Sequence, residues 1–476
     1  MARHRHSRQP ACDAALAPRC AGCARAHRCG RDRGGLHARH QRGGRRGRGR
    51  TELHPARRPR RPRRAPRRRR REQRGDHCRR HPDAGVTGPN TQDAPNDAEV
   101  VVVGAGAVGL AIAERLARTR SVLVVERHEG YARETSSHNS GVVHASIYYA
   151  TGSLKHTMCW EGNPLIYEWA DAHHVPVLRS GKLIVALSED ERGGLEDVWR
   201  QATANGVRGI ERLTGEQARV LEPYVPTVEA IWSPSTGVVD VAALARSYEG
   251  AARDRGALVV YQHTIVSAER IAGGFRLDLR DADGQRSSVT CAALVNSAGH
   301  GAPELASALG YPLDGGMHAG IEVPVLRQRA NSGRYYDIVD SAAARMISRP
   351  VYPLPEHQAG GLGLHLTVDT DGGAHLGPST EWLPDGATLD YRQADEPEWR
   401  ARFLEAGRRF LPGLRDDQIA PGQVGYRPKI QQPGQGLADF LIWHDRGYVH
   451  LGGIESPGLT ASLPIARVVA EALGAG

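Results

Sequence analysis

The chain has few cysteines, almost no lysine and no long apolar run. Five of its seven cysteines lie in the first 80 residues, which leaves only Cys159 and Cys291 beyond them. A disulfide framework is therefore excluded for the larger part, and a reducing compartment is expected. The longest nearly apolar run, Val100–Ala113, is shorter than the roughly 20 residues of a membrane-spanning helix. The first 30 residues lack the apolar centre of a secretory signal.

Acidic residues are scarce only at the start of the chain. Residues 1–80 contain 28 Arg, no Lys and 5 acidic residues, a net charge of +23, whereas residues 81–476 carry a net charge of −13. The overall charge of +10 therefore reflects the first segment alone. It does not indicate that the whole protein binds nucleic acid.

The first ninety residues contain no Ile, Phe, Tyr or Trp. Such a segment cannot bury enough apolar surface to offset the entropy of ordering, so residues 1–96 are predicted to be a disordered basic tail. Its arginines would suit a nucleic-acid partner. Cys20, Cys23, His27 and Cys29 lack the second ligand pair of a usual zinc site, and we expect no metal. We favour a third interpretation, GC-rich DNA translated in the wrong frame, with a natural start near Val86.

A dinucleotide-binding pattern follows the tail. An apolar run ending at Val103 leads into Gly104-Ala-Gly106-Ala-Val-Gly109, then a helical pattern, a second apolar run and Glu126. The first glycine permits a tight turn, the second lets a pyrophosphate approach, and the third lets helix and strand pack closely. Glu126, 22 residues after the first glycine, can accept hydrogen bonds from ribose hydroxyls. This unit alone is compatible with either NAD or FAD.

The remaining motifs resemble one flavoprotein family. The segments concerned are 134–149, 180–186, 294–299, 361–367, 377–382, 425–429, 439–442 and 453–463. Together they resemble the D-amino-acid-oxidase-like FAD oxidoreductases, and within them most closely the L-2-hydroxyglutarate dehydrogenase/oxidase branch. The resemblance covers about residues 97–476 and is most specific at 453–463. Residues 316–345 depart from it, because similar proteins carry a Lys-Gly-x-Tyr-like strand there.

The resemblance implies FAD as cofactor and extends the set of cofactor-binding residues. The predicted set is Gly104, Gly106, Gly109, Glu126, Ser140, Gly299, Gly453, Gly458, Leu459 and Thr460. We also predict that a helix begins near Pro457-Gly458 and that its positive end stabilises negative charge on reduced flavin.

Oxidation of a 2-hydroxy acid requires a carboxylate clamp and a base for the hydroxyl proton. Arg427 and Lys429 are the predicted clamp, because Arg offers a bidentate fork, Lys a point charge, and strand alternation allows both to face one side. His365 and His144 are the predicted bases, since both lie in segments that border the flavin in similar proteins.

The predicted fold class is α/β. A doubly wound, Rossmann-like FAD-binding domain is expected from residues 97–176, 237–310 and 420–476. A mostly antiparallel substrate domain is expected from residues 177–236 and 311–419.

The predicted function is FAD-dependent oxidation of a small 2-hydroxy acid, similar to L-2-hydroxyglutarate, to the 2-oxo acid. Oxidation of an amino acid or amine on the same fold is one alternative. An inactive flavin fold with a nucleic-acid-binding tail is the other, although no nucleic-acid partner is expected. Oxygen and a membrane quinone both remain open as the electron acceptor. We expect a cytoplasmic protein, with a peripheral position on the inner membrane as the alternative.

Overall fold

The structure, a computed structural model, describes residues 96–355 and 363–475. The predicted basic tail, its cysteines and the predicted start near Val86 lie outside the described residues.

The strands of the described ranges are, in chain order, β1 (Ala98–Val103), β2 (Val122–Val125), β3 (Val142–Val143), β4 (Val177–Leu178), β5 (Lys182–Ala186), β6 (Glu211–Thr214), β7 (Glu229–Ser233), β8 (Gly237–Val239), β9 (Leu258–Val260), β10 (Thr264–Ile271), β11 (Gly274–Arg280), β12 (Arg286–Asn296), β13 (Asp314–His318), β14 (Ile321–Val325), β15 (Arg329–Ile338), β16 (Val351–Tyr352), β17 (Leu366–Val368), β18 (Ala374–Leu376), β19 (Glu381–Trp382), β20 (Ile419–Lys429), β21 (Leu441–Asp445) and β22 (Tyr448–Gly452).

The α-helices of the same ranges are α1 (Ala107–Leu116), α2 (Leu154–His173), α3 (Arg192–Ala204), α4 (Gly215–Leu221), α5 (Val241–Asp254), α6 (Ala302–Ala308), α7 (Ser341–Ala344), α8 (Pro397–Phe410) and α9 (Ser462–Ala472). Short 3₁₀ turns lie at Glu189–Glu191, Gly299–Gly301 and Asp416–Gln418.

The first sheet has eight strands and a parallel centre. Its parallel strands run in the order β9, β2, β1, β12 and β22, while β10, β11 and β21 pair antiparallel at its margins. Strand β1 is buried over most of its length, which is the environment of a central parallel strand covered on both faces. Chain order reverses between β1 and β12, so a ligand crevice is expected at their carboxyl ends.

The helix after β1 shows why this layer holds together. Leu110, Ile112 and Leu116 of α1 are completely buried in a core shared with α5 and α9. Burying one such side chain stabilises the fold by about 1.5–3 kcal/mol. The apolar face of α1 therefore fixes the position of its N-terminus beside the glycine turn.

The second sheet has nine strands and is antiparallel except where β16 pairs with β5. Strand β15 pairs with three strands of this sheet, β18, β19 and β20. This strand comes from residues 316–345, so the stretch that departs from the family pattern still supplies a central element. A small sheet of β3, β8 and β4 joins segments that the sequence assigned to different domains.

Two predicted boundaries need correction. The boundary at residue 420 assigned β20 to the FAD-binding domain, whereas the strand pairs along most of β15 in the second sheet. The sequence could not show this, because the partner strand lies about 90 residues earlier in the chain. The predicted helix start near Pro457-Gly458 is also too early, because α9 begins at Ser462 and residues 456–461 form turns.

Candidate active site

A cavity of about 1960 Å³ is lined by residues of both large sheets. At one side lie Val103, the last residue of β1, and Ser297, which directly follows β12. At the other lie Tyr335 of β15 and Tyr352 of β16. The crevice expected at the carboxyl ends of the parallel strands is therefore continuous with the face of the second sheet.

The three glycines of the first turn meet three different demands. Gly104 has φ +100°, and a Cβ there would lie 2.6 Å from the carbonyl oxygen of Ser297. A Cβ on Gly109 would lie 2.1 Å from the carbonyl oxygen of Gly104. Gly106 lines the cavity, and a Cβ there would lie 3.0 Å from Ser136 Oγ. Two of the glycines close the turn, and the third leaves room for a ligand.

Glu126 lies at the end of β2 beside this turn. Its Oε2 accepts a hydrogen bond from the Ala105 amide at 2.7 Å, and its Oε1 accepts one from the His128 amide at 2.8 Å. The carboxylate is buried but lines the cavity. Two amide donors thus orient it, and each oxygen keeps a lone pair for a further donor.

The C-terminal segment separates into residues that line the cavity and residues that support it. Gly458 and Leu459 line the cavity, as do Ser140 and Gly299 from earlier segments. Thr460 is buried, and its Oγ1 accepts a hydrogen bond from the His144 amide at 3.0 Å. The Gly453 amide donates to Gln328 Oε1 at 2.8 Å. Thr460 and Gly453 do not line the cavity. Both make their hydrogen bonds with other protein groups.

Lys429 has a partner that the sequence did not indicate. Its Nζ lies 3.0 Å from Glu455 Oε1 and 2.9 Å from Oε2, and Lys155 Nζ lies 2.9 Å from Oε1. All three side chains are buried. Burial raises the pKa of Glu455, but the two lysines outweigh it and hold that pKa below its ordinary value. We call these residues the Lys155–Glu455–Lys429 triad.

Arg427 lines the cavity without an acidic partner in the part of the chain that the structure describes. Its Nη1 donates to Asn331 Oδ1 at 2.8 Å and to the Ser332 carbonyl at 3.0 Å, and its Nη2 donates to the Ser379 carbonyl at 3.1 Å. These neutral acceptors fix the guanidinium while leaving its charge uncompensated. Such a group can attract a carboxylate.

The two predicted bases both line the cavity and differ in their surroundings. The Nε2 of His144 lies 3.1 Å from Ser456 Oγ. Burial, together with the charge of Lys182, lowers the pKa of His144 to about 3, so its imidazole is neutral. His365 is buried and stacks on Tyr352, with ring centroids 3.6 Å apart.

Sequence reasoning missed four residues of this region: Tyr148, Lys182, Tyr335 and Glu455. Tyr335 Oη lies 3.0 Å from Ser140 Oγ and faces the cavity. Lys182 is almost fully buried at the start of an apolar strand. A lysine before four apolar residues is a signal that could have drawn attention to that position, because lysine is rarely buried.

Comparison with known proteins agrees with this geometry. The family model described as DAO, FAD dependent oxidoreductase, matches residues 99–472. An L-2-hydroxyglutarate dehydrogenase of Arabidopsis thaliana, named as mitochondrial, is 34% identical over 428 residues, covering 81% of this chain and 86% of the relative. The human protein of the same name is 25% identical over 418 residues, covering 78% and 88%.

The chain belongs to the FAD dependent oxidoreductase family.

Solved structures support the same fold for this FAD oxidoreductase. The dithionite-reduced L-alpha-glycerophosphate oxidase of Mycoplasma pneumoniae, with FAD bound, matches with a TM-score of 0.68 and 24% identity, covering 79% of this chain and 94% of the other. A glycine oxidase of Bacillus cereus matches with a TM-score of 0.63 and 19% identity, covering 79% and 97%. No described helix of this FAD oxidoreductase combines the length and apolar composition needed to cross a bilayer.

FAD fits the residues that are present. The glycine turn and the N-terminus of α1 offer amide groups and a positive dipole end to a pyrophosphate. Glu126 offers a carboxylate to ribose hydroxyls. Gly106 has no side chain on the cavity side, and a Cβ there would occupy the cradle. These residues would hold the dinucleotide part of FAD.

Proposed function

We propose that this FAD oxidoreductase oxidises a small 2-hydroxy acid, of the L-2-hydroxyglutarate type, to the 2-oxo acid. The observation that carries the proposal is Arg427, a fixed cation in the cavity whose partners are neutral oxygens. It suits the 1-carboxylate that every 2-hydroxy acid carries. The names of the relatives that align over most of this chain support the substrate class.

The reaction removes a hydride from C2 and a proton from the 2-hydroxyl group. When bound, FAD supplies the hydride acceptor. Arg427 holds the carboxylate, and a neutral histidine accepts the proton. A base works best when its pKa lies near the operating pH. The lowered pKa of His144, about 3, makes it a weak base, so we propose as the base His365, which lines the cavity beside Tyr352, and His144 as a neutral hydrogen-bond partner of the substrate.

The contacts of Lys429 favour a role other than the one predicted from the sequence. The part predicted for Lys429 in the carboxylate clamp stays a prediction. The bonds of Lys429 to Glu455 favour a supporting role instead, in which Glu455 neutralises one of the two lysines and the triad holds residues 453–460 in place. Ser140, Gly299, Gly458 and Leu459 are proposed to border the flavin, and Thr460 and Gly453 to hold that border in place.

Amino acid oxidation is the second candidate, because the solved neighbours include glycine oxidases of the same fold. The test is anaerobic mixing of the FAD-loaded protein with L-2-hydroxyglutarate, D-2-hydroxyglutarate, L-lactate, glycine and L-glutamate in turn. We expect a 2-hydroxy acid to bleach the oxidised flavin spectrum and the amino acids to leave it unchanged. Bleaching by an amino acid alone would overturn the proposal.

The electron acceptor is proposed to be oxygen or a membrane quinone. Rapid mixing of the substrate-reduced protein with each acceptor distinguishes them. Faster return of the oxidised spectrum with a soluble quinone than with air-saturated buffer would identify a dehydrogenase.

A further inference from the structure

Lys182 is a buried cation whose neighbours are aromatic rings. Its side chain is 1% exposed, and its Nζ lies 4.3 Å from the ring centroid of Tyr352 and 4.9 Å from that of Tyr148. No carboxylate in residues 96–355 or 363–475 forms an ion pair with it. Cation–π contacts offset part of the cost of burying an ammonium group but do not neutralise its charge. Burial lowers the pKa of Lys182 to about 7, so charged and neutral forms are both present at neutral pH, and a nearby anion favours the charged form.

Lys155, Lys429 and Arg427 also line the cavity and have other partners. Lys155 and Lys429 share the carboxylate of Glu455. Arg427 is held by neutral acceptors and is proposed to bind the 1-carboxylate. Lys182 is thus a second uncompensated cation close to the site, and the proposed mechanism has not used it.

The rings against which Lys182 packs are walls of the cavity. Tyr148 and Tyr352 both line it, and Tyr352 stacks on His365. The Oη of Tyr148 is buried and has no hydrogen-bond partner among the described residues. A buried hydroxyl without a partner costs free energy that an incoming acceptor can recover. Lys182 supplies positive charge at this wall, and Tyr148 supplies a donor.

We propose that Lys182 and Tyr148 select a substrate that carries a second carboxylate. In this arrangement Tyr148 Oη donates a hydrogen bond to the distal carboxylate, and Lys182 acts as a positioning residue whose charge stabilises that anion through the tyrosine wall. The inference rests on the proposed function, since it names the part of the hydroxy acid that lies beyond its reacting carbon.

The test compares two unreactive acids of equal length, glutarate and pentanoate, which differ by one carboxylate. Their dissociation constants for the FAD-loaded full-length protein are measured by titration calorimetry, for the unmodified chain and for Lys182→Met, Lys182→Arg and Tyr148→Phe. Arg208→Met is the matched control, because Arg208 also stacks on an aromatic ring, that of Trp160 at 3.7 Å, but does not line the cavity.

We expect the unmodified protein to bind glutarate roughly 30-fold or more tightly than pentanoate, because the second carboxylate meets the Tyr148 hydroxyl with the charge of Lys182 behind that ring. Lys182→Met should bring this ratio close to one, Tyr148→Phe should reduce it by about tenfold, and Lys182→Arg and Arg208→Met should retain it. A purely structural role would change the thermal midpoint and leave the ratio unchanged. If Lys182→Met does not fold, Tyr148→Phe alone decides, because it keeps both the ring and the cation.

Failure of this inference can be separated from failure of the proposed function. A retained ratio in Lys182→Met and Tyr148→Phe would overturn the inference, and so would an unmodified protein that binds both acids equally. If 2-hydroxy acids still bleach the flavin of the unmodified protein, the proposed function stands. If they do not, the proposed function fails as well.

Discussion

Single residues decide whether the first turn can bind a dinucleotide, and this part of the site could be predicted from the sequence. The glycine spacing is local: Gly109 packs against Gly104 in the same βαβ unit, and Gly104 packs against Ser297 at the end of the adjacent strand. Lys182 and the triad could not be predicted in the same way. Their partners lie up to 300 residues away in the chain, and only the folded sheets bring them together.

We predict that Gly106→Val loses FAD while Gly109→Ala loses stability. The Val side chain would fill the cavity beside Ser136, so flavin absorbance per folded protein should fall below detection. A Cβ at Gly109 meets the backbone of Gly104, so unfolding should become easier by about 3 kcal/mol. Gly193→Ala in α3 is the control, because nothing lies within 4 Å of its Cβ. Urea denaturation and flavin spectra measure both effects, and full FAD content in Gly106→Val would contradict the assignment.

Removing the proposed clamp should affect substrate binding. Arg427→Ala removes the charge that faces the 1-carboxylate, so KM for the hydroxy acid should rise by roughly 30-fold or more with FAD content unchanged. Arg427→Lys should recover only part of this loss, because an ammonium group cannot make the bidentate contact. Steady-state kinetics with L-2-hydroxyglutarate provide the check. An unchanged KM in Arg427→Ala would place the clamp elsewhere.

Substitution of His365 and substitution of His144 should change different kinetic parameters. Removal of a general base lowers kcat by about 10²–10⁴-fold, so His365→Ala should show that loss. His144→Ala should raise KM more than it lowers kcat, because a neutral imidazole contributes a hydrogen bond. Rates of flavin reduction under anaerobic single-turnover conditions test this. The reverse pattern would exchange the two roles.

At the scale of secondary structure, the strand and helix sequence of the βαβ unit could be read directly, whereas long-range pairing could not. The boundary at residue 420 placed β20 with the FAD-binding segments, and its pairing with β15 could not be read from the sequence because β15 lies in residues without a familiar pattern. The start of α9 was set too early because the proline–glycine pair at 457–458 forms a turn before the helix. The triad links α2, β20 and Glu455, which precedes this turn, and it therefore connects three elements near the residues proposed to border the flavin.

Glu455→Gln should therefore destabilise the fold strongly. The change leaves two buried lysines without a carboxylate, and loss of one partner from a buried pair typically costs about 3–5 kcal/mol. Glu161→Gln is the control, because its ion pair with Arg467 links α2 to α9 at a more exposed position. That change should cost less than about 1 kcal/mol. Chemical denaturation curves compare the two, and equal midpoints would mean that the triad does not position these elements.

At the scale of the whole molecule, two sheets enclose one cavity, and the class of this architecture was predicted from the sequence. The buried apolar residues of the described ranges form the cores of both layers. The first ninety residues, in contrast, contain only Leu16, Leu36, Leu53 and Val86 as large aliphatic side chains. Composition therefore indicates that folding and FAD binding belong to the later part of the chain.

We predict that a protein beginning at Val86 keeps the thermal midpoint and FAD content of the full chain. The removed segment offers too little apolar surface to add to either core. Differential scanning fluorimetry and the flavin absorbance ratio measure the two quantities. A midpoint lower by more than a few degrees would show that the first 85 residues contribute to the fold.

The central claim is that this FAD oxidoreductase transfers a hydride from C2 of a 2-hydroxy acid. The most direct measurement is an anaerobic titration of the FAD-loaded protein with L-2-hydroxyglutarate, with the 2-oxo acid quantified at each step. We predict that one 2-oxo acid forms for each flavin that is bleached, and that deuterium at C2 slows the bleaching. A flavin that stays oxidised with every 2-hydroxy acid, or one that is bleached without formation of a 2-oxo acid, would contradict the claim.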